Sequence, residues 1–178
     1  MKDTKNLKQE ILAGKLFIYP TDTIYGLGCD ATNLSAVEKI KEIKRCDADK
    51  PLSVIAPSLG WITDNFRTTK EDIKKYLPGP YTLLLEKKEP GFLKGISNNE
   101  RIGIRIPSNS LTKEIQKSGV PFVTTSVNLS GEPFALKIGG IKPEIKNKVD
   151  YIIEANKKEK LSGIPSTLII DGKKMERK

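Results

Sequence analysis

Lys44, Arg45 and Lys50 crowd the stretch "IKRCDADKPL" (43–52). Three cations around a short loop suit a polyphosphate, and the fork of an arginine matches phosphate oxygens. A solvated helix end, where the dipole favours cations, would carry the same charges. In "RIGIRI" (101–106) Ile102, Ile104 and Ile106 alternate with Arg101, Gly103 and Arg105. The isoleucines therefore face a core, and the two arginines share the opposite face with a glycine between them. That gap leaves room for an anion over the backbone, although a water-exposed sheet face would show the same pattern.

Hydroxyls gather at three further places. "TTSVNLSGEP" (124–133) puts Ser126 and Asn128 on one side of an extended chain, and "SGIPST" (162–167) brings Ser162, Ser166 and Thr167 together. In "IYPTDTIYGLG" (18–28), an extended chain would point Thr21, Thr23 and Tyr25 one way and Asp22 and Ile24 the other. Each cluster also matches a turn or a cap. The polar clusters fall at strand ends, where open α/β sheets bind ligands, and together they suit a cleft for a phosphorylated polar molecule. The chain has no Walker A loop and no GxGxxG fingerprint. It has no histidine either, which excludes Ser-His-Asp, Cys-His and His-metal chemistry. Any catalysis here must work by charge, hydrogen bonds, carboxylates or a borrowed metal ion.

These residues need elements to position them. Residues 4–13 read as a helix capped by Thr4, and "KLFIY" (15–19) as a strand. Ser35 and Glu38 have capping-box spacing at the start of a second helix. A strand at 52–56, a helix near 70–77 with Thr68 and Glu71 in the same spacing, and strands at 81–86 and 101–106 follow. A helix near 110–118 closes at Gly119, and strands are expected at 121–125, 149–154 and 167–171. Asp171-Gly172 is a hairpin signal. Interleaved strands and helices indicate one α/β domain over residues 1–178, and the hairpin makes its sheet mixed.

The 178-residue chain is long enough for its own core and carries a formal net charge of +9. That charge favours anionic partners such as nucleotides or RNA, and a lysine-rich solvated surface would account for it equally. The sequence has no 18-residue apolar run and no signal-peptide core, so no membrane partner is expected. Two cysteines build no disulfide framework, and cytoplasmic residence is the expectation.

"YPTDTIYGLGCDA", "KRCDADKPLSV", "PGPYTLLL", "RIGIRIP", "VPFVTTSVNLSG" and "GIPSTLIID" occur in that order. Block by block they resemble the YrdC-like domain of threonylcarbamoyl-adenylate synthases, over roughly residues 8–178. The resemblance implies a twisted open mixed sheet flanked by helices around a positively charged cleft. It implies that L-threonine, bicarbonate and ATP, with Mg2+, give threonylcarbamoyl-AMP and pyrophosphate. The product would feed N6-threonylcarbamoyladenosine formation in tRNA through a downstream threonylcarbamoyl transferase complex. Direct contact with tRNA is left open.

Carried over by position, Thr23, Arg105, Ser126 and Ser166 resemble the threonine site. Arg45, Lys50, Arg101, Asn128 and Arg177 resemble nucleotide contacts. Lys44, Arg45, Lys50, Ser126 and Asn128 would be the catalytic set, with no protein metal ligand. A carbamate oxygen is already anionic, so its attack on the α-phosphorus needs positioning and charge rather than a histidine base. Two alternatives remain: a non-catalytic RNA-binding module, and a divergent paralogue acting on another nucleotide.

Overall fold

The computed structural model describes residues 6–175 except positions 48 and 157. Among the described residues six α-helices and nine strands follow one another, interleaved as the sequence predicts. They are α1 (Leu7–Leu12), β1 (Phe17–Pro20), β2 (Tyr25–Gly28), α2 (Leu34–Lys44), β3 (Ser53–Ile55), α3 (Leu59–Asn65), α4 (Lys70–Lys74) and β4 (Tyr81–Glu86). Then come β5 (Arg101–Arg105), α5 (Ser110–Gln116), β6 (Phe122–Ser126), α6 (Pro143–Lys146), β7 (Tyr151–Ile152), β8 (Thr167–Ile170) and β9 (Lys173–Met175).

The strands form one sheet in the order β7-β1-β2-β6-β3-β5-β4-β8-β9. Pairs β1–β7, β3–β5 and β4–β8 are parallel, and the other described pairs are antiparallel. The sheet is therefore mixed, as Asp171-Gly172 signals. Both residues of that turn have positive φ (49° and 76°), and β8 and β9 close directly around it.

Alternation along the strands divides the core. On one face Ile18, Leu27, Val54, Ile102, Ile104, Leu83 and Ile169 pack with Val37 and Ile40 of α2, Ile62 of α3 and Ile73 of α4. On the other face Phe17, Tyr19, Ile55 and Phe122 pack with Leu7 and Ile11 of α1 and Ile115 of α5. This second layer covers only part of its face. The uncovered part, over β6, β3, β5 and β4, is where the polar residues lie.

Several local expectations are corrected. Asn33, whose Oδ1 accepts from Ala36 N at 3.1 Å, caps α2 in place of Ser35. Thr69, one residue after Thr68, caps α4 by accepting from Asp72 N at 3.2 Å. The expected Thr4 cap lies outside the described residues. Helix α3, capped by Ser58, is a further element, and its seven residues are too short for a periodic signal.

The largest difference is at residues 18–28, which fold into a hairpin rather than one extended run. Pro20 pairs with Tyr25, and the chain reverses over residues 21–24. Thr21 makes that reversal without a glycine. Its Oγ1 accepts from Thr23 N (3.1 Å) and Ile24 N (3.2 Å) and donates to Ile24 O (2.7 Å). A hydroxyl thus serves as the internal partner of the turn's backbone.

Candidate active site: a hydroxyl-floored cleft between two buried cations

A cleft of about 260 Å³ opens on the uncovered face of the sheet. Its floor is a patch of small polar residues set by strand register. Thr124 of β6 lies beside Ser53 of β3, which lies beside Gly103 of β5. Thr82 of β4 extends the floor and shares a hydrogen bond of 2.7 Å with Ser166 Oγ, just before β8. Gly103 is required here: a Cβ at this position would sit 2.3 Å from Ser53 Oγ and 3.0 Å from Thr82 Cγ2.

At the β6 end the wall is built around Lys44, the last residue of α2. Arg45 ends the helix in a left-handed conformation (φ 50°), and Ser130 N bonds back to Lys44 O at 2.8 Å. The Lys44 side chain then enters the protein, with only 5% of the residue exposed. Its Nζ donates to Ser126 O (2.6 Å), Asn128 O (2.9 Å) and Asn128 Oδ1 (3.1 Å). Ser126 Oγ also donates to Asn128 Oδ1, and Asn128 Nδ2 donates to Glu132 O. The Ser-x-Asn pair is therefore one network with the lysine at its centre. No carboxylate among the described residues pairs with Lys44, and burial pushes its pKa down to about 8. Lys50 completes this wall, donating to Ser130 Oγ at 2.7 Å.

The opposite wall carries Arg105, the last residue of β5, at 7% exposure. Its Nη2 donates to Asp22 Oδ1 (3.0 Å) and Thr23 Oγ1 (3.2 Å) in the turn between β1 and β2. Thr21 and Ile24 of the same turn line the cleft.

Of the residues singled out in the sequence, Lys44, Lys50, Arg105, Ser126, Asn128 and Ser166 converge on this cleft. Thr23 does not line it, because it is buried behind Arg105. Arg45, next to Lys44, is not among the residues lining it, and its Nη2 meets Glu144 Oε2 at 2.6 Å on the surface. Arg101 shares a face with Arg105 but lies four residues along the strand, about 13 Å away. There it pairs with Asp171 at 3.2 Å and lines a separate cavity of about 460 Å³. The expectation that both arginines frame one anion is thereby corrected. Arg177 lies outside the described residues.

Ser53 and Thr82 were not singled out, and Thr124 entered only as the first residue of the hydroxyl-rich stretch 124–133. The signal of Ser53 and Thr82 is a lone small hydroxyl in an otherwise apolar strand, "LSVIA" and "YTLLL", and it becomes legible only when the register aligns them. Among the described residues no cluster of three or more His, Cys, Asp or Glu could hold a metal ion. The cleft offers cations and hydroxyls, so a metal there would be held by a ligand's own phosphates. No helix among the described residues is long and apolar enough to cross a membrane.

Comparison with known proteins agrees with this architecture. Residues 9–177 match the Sua5/YciO/YrdC family, which carries the description telomere recombination. A Methanocaldococcus jannaschii protein, provisionally named a threonylcarbamoyl-AMP synthase, is 40% identical over 169 residues, covering 92% of this chain and 77% of that protein. The threonylcarbamoyl-AMP synthase of Pseudoalteromonas atlantica is 35% identical over 152 residues, 80% of each chain. The crystal structure of Pyrococcus abyssi Sua5 complexed with L-threonine superposes with a TM-score of 0.79 at 30% identity, covering 92% of this chain and 49% of that one. The chain thus spans about half the length of that archaeal protein and about four-fifths of the other two. By sequence and by fold, the chain belongs to the Sua5/YciO/YrdC family.

Proposed function

We propose that the chain is an L-threonylcarbamoyladenylate synthase, converting L-threonine, bicarbonate and ATP into threonylcarbamoyl-AMP, pyrophosphate and water. The observation that carries this reading is the pairing of unlike cations across one hydroxyl floor. Lys44 has no carboxylate partner among the described residues and suits a polyanion. Arg105 is already matched to Asp22 and suits a single carboxylate held in a set orientation.

In this reading Arg105 meets the carboxylate of L-threonine, with Ser166 and Thr82 beside it. ATP lies toward Lys44 and Lys50, bringing Mg2+ on its phosphates. The threonine amine and bicarbonate give a carbamate, whose oxygen attacks the α-phosphorus in line as pyrophosphate leaves. Lys44 and Lys50 meet the developing charge, which Mg2+ carried by the ATP would further neutralise. Ser126 and Asn128 orient the phosphates through the network they share with Lys44. Ser126 Oγ is committed to Asn128 Oδ1, which fits an orienting role rather than a nucleophilic one. The product would pass to an enzyme that transfers the threonylcarbamoyl group to tRNA.

The test incubates the protein with ATP, Mg2+, bicarbonate and L-threonine and measures pyrophosphate and threonylcarbamoyl-AMP. Threonine-dependent release of both is expected. Folded protein that releases neither overturns the reading, and RNA binding that weakens steeply with salt would then favour an RNA-binding module.

A further inference from the structure

In an extended chain Asp22 would face away from Thr21 and Thr23. In the folded hairpin it is instead the best-connected acid near the cleft, with a side chain 11% exposed against 8% for Arg105. Its two oxygens are divided between two partners. Oδ1 accepts from Arg105 Nη2 at 3.0 Å, and Oδ2 accepts from the backbone N of Ser108 at 2.9 Å. The carboxylate is therefore fixed by the chain leaving β5, and it in turn fixes the guanidinium at the end of β5.

The two hydroxyls behind Arg105, Thr21 Oγ1 and Thr23 Oγ1, share a hydrogen bond of 2.9 Å, and Thr23 Oγ1 also accepts from Arg105 Nη2. Both N–H groups of Nη2 are then committed, one to Asp22 and one to Thr23. The backbone of the same turn anchors the segment leading to Ser166: Ser162 N donates to Asp22 O (3.1 Å) and Gly163 N to Thr23 O (2.9 Å).

The geometry points to Asp22 as a positioning residue that sets the orientation of Arg105 and, through it, the carboxylate of the amino-acid substrate. The assignment rests on the synthase reading above. Replacing one carboxylate oxygen by an NH2 group sets a donor against either Ser108 N or Arg105 Nη2. The guanidinium must then shift, and an ångström of misplacement at a reacting centre is costly.

The test measures threonine-dependent pyrophosphate release while L-threonine and ATP are varied separately, and L-threonine binding by calorimetry. Asp22→Asn is expected to raise the KM for L-threonine about tenfold or more, leaving the KM for ATP within about twofold. In an Arg105→Lys background the same substitution should add less than about twofold, because it acts through a residue already altered. Thr23→Val, close in shape, removes the other Nη2 contact and should raise the threonine KM about threefold. This variant carries the test if Asp22→Asn does not fold.

A folded Asp22→Asn with both KM values unchanged, or both raised alike, overturns the assignment. Undiminished effect in the Arg105→Lys background, or an unchanged threonine KM in Thr23→Val when that variant carries the test, does the same. Wild-type protein that neither binds L-threonine nor releases pyrophosphate sinks the synthase reading, and this assignment with it. An active wild type beside an Asp22→Asn that matches it sinks this assignment alone.

Discussion

Two buried cations line the same cleft, and the fold treats them in opposite ways. Arg105 is given a carboxylate, Asp22, and the hydroxyl of Thr23. Lys44 is given three neutral oxygens and, among the described residues, no acid. The first arrangement nearly cancels the charge and fixes a direction. The second leaves a desolvated positive charge that a polyanion can relieve. One wall thus supplies orientation and the other supplies field.

Breaking each wall should therefore cost different things. Arg105→Met leaves Asp22 as an uncompensated buried acid, and a loss of about 3–5 kcal/mol in unfolding free energy is expected by denaturant titration. Lys44→Met leaves no charge behind. It should lower kcat/KM for ATP about a hundredfold, some 2.7 kcal/mol, with a smaller stability loss than Arg105→Met. Equal stability losses in the two variants would erase the distinction between the walls.

The lysine wall should also be the one that senses pH. With its pKa near 8, Lys44 loses its charge in a range where Arg105 cannot. The value of kcat/KM for ATP should fall about tenfold per unit above pH 8, and Lys44→Met should flatten that limb. Stability moves the other way. The folded pKa lies below the ordinary 10.5, so the unfolded chain binds more protons between about pH 8 and 10.5. The cost of burying this ammonium is fully present below pH 8 and is relieved as pH rises through that window.

Two smaller substitutions sharpen the boundaries of the site. Gly103→Ala pushes a methyl against Ser53 and Thr82, and about 1–2 kcal/mol of stability should be lost, partly restored by Ser53→Ala. Arg45→Ala breaks only a surface pair with Glu144 and should change stability by less than about 0.5 kcal/mol. Its kcat/KM for ATP should stay within about threefold, against about a hundredfold for Lys44→Met.

Much of the architecture was legible because the strands announce themselves. "RIGIRI" alternates strictly and becomes β5, and Asp171-Gly172 turns where a two-residue hairpin must. The β1–β2 hairpin was not legible, because its turn is closed by the Thr21 hydroxyl rather than by a glycine or an Asn-Gly pair. Hydroxyls, cations and the Ser-x-Asn spacing pointed to Lys44, Lys50, Arg105, Ser126, Asn128 and Ser166, which the fold brings to one cleft. They did not separate Arg101 from Arg105, because parity along a strand fixes the face and not the position along it. They did not reveal the partners of Asp22, because Arg105 and Ser108 lie far along the chain and meet it only after the sheet closes.

The floor of the cleft has a consequence for how errors in folding would be felt. Thr124, Ser53, Gly103 and Thr82 come from four different strands and share a face only because each ladder is in its native register. A slip of one residue in β6, β3 or β4 would turn a hydroxyl into the apolar layer under α2, α3 and α4, and a valine, leucine or isoleucine into the cleft. Such a sheet would lose part of its core and the lining of its site in the same event. Activity in this molecule is therefore a direct report on strand alignment, and a misaligned chain has no route to partial function.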